Sequence, residues 1–247
     1  MKKLLQTVGA LALVAGAANA QATCPIKIGG LAPLSAPGSV TGGEAMRAAM
    51  RIPTHEINAA GGRLGCPVEF GGVETEGLPE RGRAVMERLI TQDRVVAVGG
   101  GYHSSVGLAA KDVANDAGIP VVFAETWNDR ITADMQRFIF RLAPLSSEVA
   151  AIYANFAASV PDVKNVVIVA ENTDYGLPAS DMTRQGLEAA GITSTIYTVD
   201  IGTQDFSGII QRIRADRPDM IIQVMTGEAA YNFTQQAAEA GIGSGDL

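Results

Sequence analysis

The sequence is poor in the residues that most often carry catalysis or metal. It has two cysteines, two histidines and one tryptophan in 247 residues. Cys24, His55, Cys66 and His103 do not fall at metal-ligand spacing, so no metal site and no cofactor is expected. Charge is sparse at 18% and leans acidic, with 19 basic against 26 acidic residues and a net charge of −7. No basic tract interrupts that balance, which argues against nucleic acid and against anionic membrane surfaces as partners. A G-x-S-x-G elbow, a P-loop and a dinucleotide fingerprint are all missing. Gly99-Gly100-Gly101 is not followed by G-K-[ST], so it reads as a turn for close ligand approach. His103 beside Ser104 is the one nucleophile–base pair to consider, and adjacent residues rarely aim at each other. The chain is therefore not expected to be an enzyme.

Beyond the first twenty residues, no apolar run is long enough to span a bilayer. Those twenty have the layout of an export signal. Lys2 and Lys3 precede an apolar stretch from Leu4 to Ala17, and Ala18-Asn19-Ala20 is an A-x-A cleavage site. The reading places cleavage after Ala20 and the mature protein in the periplasm. Export also puts the cysteines in an oxidising compartment. Cys24-Pro25 and Cys66-Pro67 each open an apolar segment at the same offset. If those segments are neighbouring parallel strands, both sulfurs lie at one end of the sheet, and a Cys24–Cys66 disulfide is expected.

The 47% apolar content is distributed as strand, helix, strand, helix. Strands are expected at 26–31, 68–72, 95–98 and 119–123, separated by helices at 44–59, 79–91 and 105–117. Pro53 sits inside the first helix, where a kink or a late start is expected. A loop with a helical piece over 124–136 leads to a crossing strand at 138–142. A second set follows, with helices at 148–159, 177–190, 206–215 and 229–240 around strands at 166–170, 193–199 and 220–224. Continuous apolar strands alternating with amphipathic helices imply parallel sheets covered on both faces. The fold class is α/β with two lobes, residues 24–143 and 144–247. The second holds only three strands, as though the chain ended mid-pattern. In open α/β sheets ligands sit at the carboxyl ends of the strands. That singles out the loops 32–43, 99–105, 124–130, 171–177 and 225–228.

Several strings in those positions resemble the periplasmic leucine/isoleucine/valine-binding protein family. They are Ile26-Lys27-Ile28-Gly29 with Pro33-Leu34-Ser35, then Glu56 through Gly62, then Val98-Gly99 with Ser104-Ser105. Asp174-Tyr175-Gly176 follows, and then Asp205-Phe206-Ser207 with Arg212 and Pro218-Asp219. The resemblance runs in register from Ile26 to Leu247 and implies a type I periplasmic binding protein, C-terminally incomplete against that family. It implies a receptor that captures an amino acid or similar small polar solute and presents it to the membrane permease of an ABC importer, as a monomer. A ligand-sensing ectodomain, or a truncated product that does not bind, is the alternative.

Candidate ligand contacts follow from the loops and the resemblance together. Ser104 and Ser105 begin a helix, whose free N–H groups suit a carboxylate. The family's serine at Ser104 holds the ligand carboxylate, although either serine can equally serve as a helix cap. Thr126 keeps a hydroxyl in the second wall, while Glu125 and Trp127 are bulkier than the family's residues. Glu125 has the charge to pair with a ligand cation, and Trp127 either stacks on an apolar or cationic group or packs between loops. Tyr175 matches a tyrosine that closes over the ligand, or else packs at a helix start. Thr226 retains a hydroxyl where the family often has a ring, and Thr41 replaces an aromatic residue of the first loop. Tyr102 and His103 flank the binding turn, with His103 read as structural.

Overall fold

In the computed structural model the described residues are 24–243; the export signal and the expected cleavage after Ala20 lie outside them. The fold is built on two all-parallel sheets. The first takes β1 (Ile26–Ala32), β2 (Val68–Glu74), β3 (Ala97–Gly100), β4 (Val121–Phe123) and β5 (Ile139–Arg141) in the order β2-β1-β3-β4-β5. The second takes β6 (Asn165–Glu171), β7 (Thr193–Val199) and β8 (Met220–Val224) in the order β7-β6-β8. Helices α1 (Val40–Ala59), α2 (Pro79–Arg88) and α3 (Ser104–Asp116) connect the first sheet's strands. Helices α4 (Ser146–Ser159), α5 (Gly176–Ala189), α6 (Ser207–Asp216) and α7 (Gly227–Glu239) surround the second.

Strand β6 shows how the pattern sets the packing. Successive strand side chains point to opposite faces. Val166, Ile168 and Ala170 join a core with α4 and α5, while Val167 and Val169 join another with α6 and α7. All five are fully buried, so the strand is apolar without alternation because both faces are covered. The first sheet has one core of this kind, formed with α2 and α3 around Leu31, Met86, Leu89, Val98 and Phe123.

Several boundaries differ from expectation by one to four residues, and three differences have a clear physical cause. Helix α1 starts at Val40 rather than Glu44 and runs through Pro53. The carbonyl that Pro53 leaves without a donor belongs to Ala49, and both residues are exposed, so it is open to solvent. The early start comes from Ser39, whose hydroxyl accepts from the Gly42 N–H at 3.2 Å. Strand β3 is shifted to Ala97–Gly100, because Val95 and Val96 follow a π-helical turn over Leu89–Asp93 that closes with Arg94 at φ +56°. The segment expected to cross pairs as β5 at the edge of the first sheet, parallel to β4.

β1 and β2 pair in the register Ile26↔Val68, two residues after each cysteine. Cys24 and Cys66 are bonded to each other, with Cα atoms 5.2 Å apart.

Candidate functional site

Both sheets reverse direction of winding at an internal strand, β1/β3 in the first and β6/β8 in the second. The loops at such a switch point diverge and leave a crevice at the strands' carboxyl ends. The two crevices face each other across a cavity of about 280 Å³. Residues after β3 (Tyr102, His103, Ser104) and after β4 (Glu125, Trp127) form one side. Residues at and after the end of β6 (Glu171, Tyr175) and after β8 (Met225, Thr226, Gly227) form the other, with Tyr153 from α4 and Tyr231 from α7.

The first wall depends on glycine. Gly100 and Gly101 have φ +94° and +82°, and a Cβ on either would stand 2.6 Å from the Leu31 carbonyl oxygen or 2.7 Å from the Phe123 ring. The turn delivers Tyr102 against the start of α1, where a Cβ on Gly42 would stand 2.2 Å from the ring. His103 is buried, and its Nε2 accepts from the Ser39 N–H at 3.1 Å. It therefore supports the cap of α1 and does not address Ser104, whose hydroxyl accepts from the Asn128 N–H at 3.1 Å. No serine–histidine pair exists at this turn.

Burial lowers the His103 pKa from 6.5 to about 4. The fold thus holds the neutral form. That contribution is complete above the unfolded value of 6.5 and is lost as the pH falls from there towards 4, up to about 3 kcal/mol. Between pH 7 and 4.5 the wild type is expected to lose roughly 4–8 °C more in melting temperature than His103→Gln, whose amide oxygen can still accept from Ser39. Parallel declines in the two proteins would contradict this role.

The second wall is held by its backbone. Trp127 O accepts from the Ser146 N–H and hydroxyl at 2.8 and 3.0 Å. The indole N–H donates to Glu125 Oε2 at 3.0 Å, and the ring meets Tyr175 edge-on, with centroids 5.9 Å apart and planes at 81°. Burial raises the Tyr175 and Tyr102 hydroxyls, so both are neutral at ordinary pH.

On the opposite side the centre is Glu171, 3% exposed at the end of β6. Its Oε1 accepts from the Thr173 hydroxyl at 2.7 Å. Its Oε2 accepts from the Thr226 hydroxyl at 2.7 Å and the Thr226 N–H at 2.9 Å. Burial pushes this carboxyl up, and the three donors pull it part of the way back.

The two sides also touch directly. Thr41 donates to Glu228 Oε1 through its N–H at 3.0 Å and its hydroxyl at 2.9 Å. Burial raises the Glu228 carboxyl, but the bonds from Thr41 together with the backbone N–H groups of Glu228 and Val40 outweigh it and leave the group below its ordinary value. The Asp174 N–H donates to Ser105 Oγ at 3.2 Å, and Asn128 Nδ2 donates to the Asp174 carbonyl.

Of the residues singled out in the sequence, Tyr102, Ser104, Glu125, Trp127, Tyr175 and Thr226 line the cavity. Ser105 does not. It faces a neighbouring cavity of about 390 Å³ with Asp174. Thr126 is fully buried between its two neighbours, with its methyl against Gly101 and Gly107, and its hydroxyl has no partner among the described residues. Glu171, Tyr153 and Tyr231 were not singled out. Glu171 had a signal, a charge closing the apolar run 166–170 inside a flagged loop. The two tyrosines had none, since each sits within a helix. Among the described residues no cluster of His, Cys, Asp or Glu could hold a metal ion, and no helix is long and apolar enough to cross a membrane.

A sequence profile of the family described as periplasmic binding protein matches residues 25–247. The chain is 26% identical over 246 residues to an amino acid binding protein of Pseudomonas aeruginosa, covering 98% of this chain and 66% of that one. Among solved structures it is similar to the branched-chain amino acid transporter substrate binding protein LivJ from Streptococcus pneumoniae in complex with isoleucine. There the identity is 26%, the TM-score 0.79, and coverage 88% of this chain and 62% of that one. A solute binding protein of an ABC transporter from Rhodopseudomonas palustris, in complex with 3,4-dihydroxybenzoic acid, shares the fold at 23% identity and a TM-score of 0.77. It is covered to 59%, against 88% of this chain. The chain thus spans about three-fifths to two-thirds of the length of these relatives.

Proposed function

The chain belongs to the periplasmic binding protein family, and from that premise we propose that it is the solute receptor of an ABC importer. It is exported by its N-terminal signal and acts as a monomer. It captures an amino acid or similar small polar solute between lobes 24–143 and 144–247 and delivers it to a membrane permease. The observation that carries the reading is the 280 Å³ cavity at the facing switch points of two parallel sheets. Ser104 opens α3 without a side-chain cap on that helix, and Gly227 opens α7 in the same way. Two uncapped helix N-termini at one cavity give a carboxylate its donors. Thr226, Tyr175 and Glu125 complete the polar lining.

The test is a thermal-shift panel of amino acids, amides and small carboxylates on the full receptor. A ligand that binds only the folded state raises stability by about 2.7 kcal/mol at a hundredfold excess over its Kd. At least one solute is expected to shift the transition, and none doing so would overturn the receptor reading. For a solute that binds, Glu228→Gln is expected to weaken affinity about three- to tenfold, because the closed arrangement loses the charged acceptor of both Thr41 bonds. Unchanged affinity would show that this contact does not contribute to closure.

A further inference from the structure

The cavity's composition goes further than a small polar solute. The chain has five tyrosines and one tryptophan, and four of the tyrosines and the tryptophan line this one space. None of its seven phenylalanines does. Trp127 and Tyr175 meet edge-on, with planes at 81° and centroids 5.9 Å apart, and lie side by side in the lining. Two carboxylates, Glu125 and Glu171, belong to the same lining, and among the described residues no lysine or arginine does. His103 contributes no charge, since burial keeps it neutral down to about pH 4.

Electron-rich ring faces and fixed negative charge attract a cation, and the attraction grows as water is excluded. The kind of cation follows from the hydrogen bonds. A primary ammonium brings three donors and needs acceptors for them. Here Glu171 already accepts three bonds, and Glu125 Oε2 accepts from the indole N–H. The Tyr102 hydroxyl is engaged with Ser39. The accepting capacity of the buried carboxylate, Glu171, is largely used within the protein, while Glu125 spends one of its two oxygens on the indole. An ammonium whose hydrogens are replaced by methyl groups loses nothing by this and gains contact with the rings.

We propose that the solute carries a methylated ammonium group seated against Trp127 and Tyr175 and facing Glu125 and Glu171. With a carboxylate at the Ser104 end, as the receptor reading on which this rests requires, the class is that of N-methylated amino acids. A simple aromatic acid would bring its negative charge to a cavity with two carboxylates and, among the described residues, no side-chain cation.

The test is titration calorimetry on the full chain with glycine betaine, choline, glycine, leucine and 3,4-dihydroxybenzoate. Glycine betaine is expected to bind at least about tenfold more tightly than glycine. Trp127→Leu is expected to reduce that affinity about tenfold, while Trp127→Phe, which keeps an aromatic face, retains most of it. Melting curves of both variants establish that they are folded. Binding of leucine or 3,4-dihydroxybenzoate with no binding of glycine betaine or choline would overturn the inference and leave the receptor reading standing. No binding by any of the five would overturn the inference, and a silent wider panel of amino acids, amides and carboxylates would then remove the receptor reading as well.

Discussion

Reduction of the Cys24–Cys66 disulfide lowers the melting temperature by roughly 8–16 °C and leaves solute affinity unchanged at temperatures where the protein stays folded. The bridge closes a separation of 42 residues, which holds all of β1 and α1. Restricting a loop of that length in the unfolded chain contributes about 4 kcal/mol on the chain-entropy account. A domain of this size loses about 2–4 °C per kcal/mol. The affinity is spared because the cysteines precede the amino ends of β1 and β2, whereas the cavity lies at the carboxyl ends of the strands. Melting and titration of the oxidised protein and of Cys24→Ala/Cys66→Ala check both statements. An unchanged transition would show that the unfolded chain is not restrained by the bridge. A large loss of affinity in the folded variant would show that the two ends of the sheet are coupled.

The second large effect is at Glu171. Glu171→Ala is expected to cost about 2–3 kcal/mol, because the Thr226 N–H and two hydroxyls lose their buried acceptor. The loss is held to that size because the threonine hydroxyls can rotate and because the desolvated charge is removed with the side chain. Solute affinity falls with it, about a hundredfold, since Thr226 is no longer held at the lining. Glu171→Gln separates charge from architecture. It keeps an oxygen for Thr226, and only the Thr173 hydroxyl, whose oxygen already accepts from the Tyr175 and Gly176 N–H groups, loses its acceptor. Most of the fold stability is therefore retained.

The pH dependence of the two proteins then differs in a fixed direction. Burial raises the folded Glu171 pKa, so the fold favours the protonated form and gains stability as the pH falls through that value, opposite in sign to His103. Binding of a cationic solute weakens over the same interval as Glu171 loses its charge and only Glu125 is left facing the cation. Affinity is expected to fall in the wild type as the pH is lowered through the Glu171 titration and to lose that step in Glu171→Gln. Identical pH profiles would remove Glu171 as the charge the solute meets.

Much of the fold could be read from residue order, and the exceptions have physical causes. Strands β7 and β8 match the expected ranges because an apolar run between clear breakers leaves one choice of boundary. Helix α1 was expected to begin four residues late, since Val40-Thr41-Gly42-Gly43 has poor helix propensity. In the structure both glycines are needed for contact: a Cβ on Gly43 would stand 1.7 Å from the Pro33 carbonyl oxygen, and one on Gly42 would meet Tyr102. Tertiary packing fixed the start, and propensity did not. β3 includes Gly99 and Gly100 for a similar reason, as Met50 and Leu31 approach them closely.

The site was legible as a set of loops and less so as side chains. Ser105 turns away from the cavity because successive helical residues differ by about 100° in direction. Thr126 is buried while Glu125 and Trp127 line the wall because neighbours in an extended segment point opposite ways. Knowing that the loop mattered did not give the phase. Tyr153 and Tyr231 reach the cavity from helices whose own periodicity marks nothing unusual about them. Their role depends on how the two sheets face each other, which no local pattern encodes.

Trp127 is the only tryptophan in these 247 residues and part of the cavity wall, so the emission lost in Trp127→Phe reports on that space. The central claim is that a solute is held between the two sheets, against this ring. Titrating the full receptor with the solute that most raises its melting temperature, while following Trp127 fluorescence, tests it most directly. A saturable change in emission at one solute per chain, with the same Kd as calorimetry, is the expected result. A solute that stabilises the protein and binds by calorimetry while leaving the emission unchanged would place the site elsewhere and contradict the account.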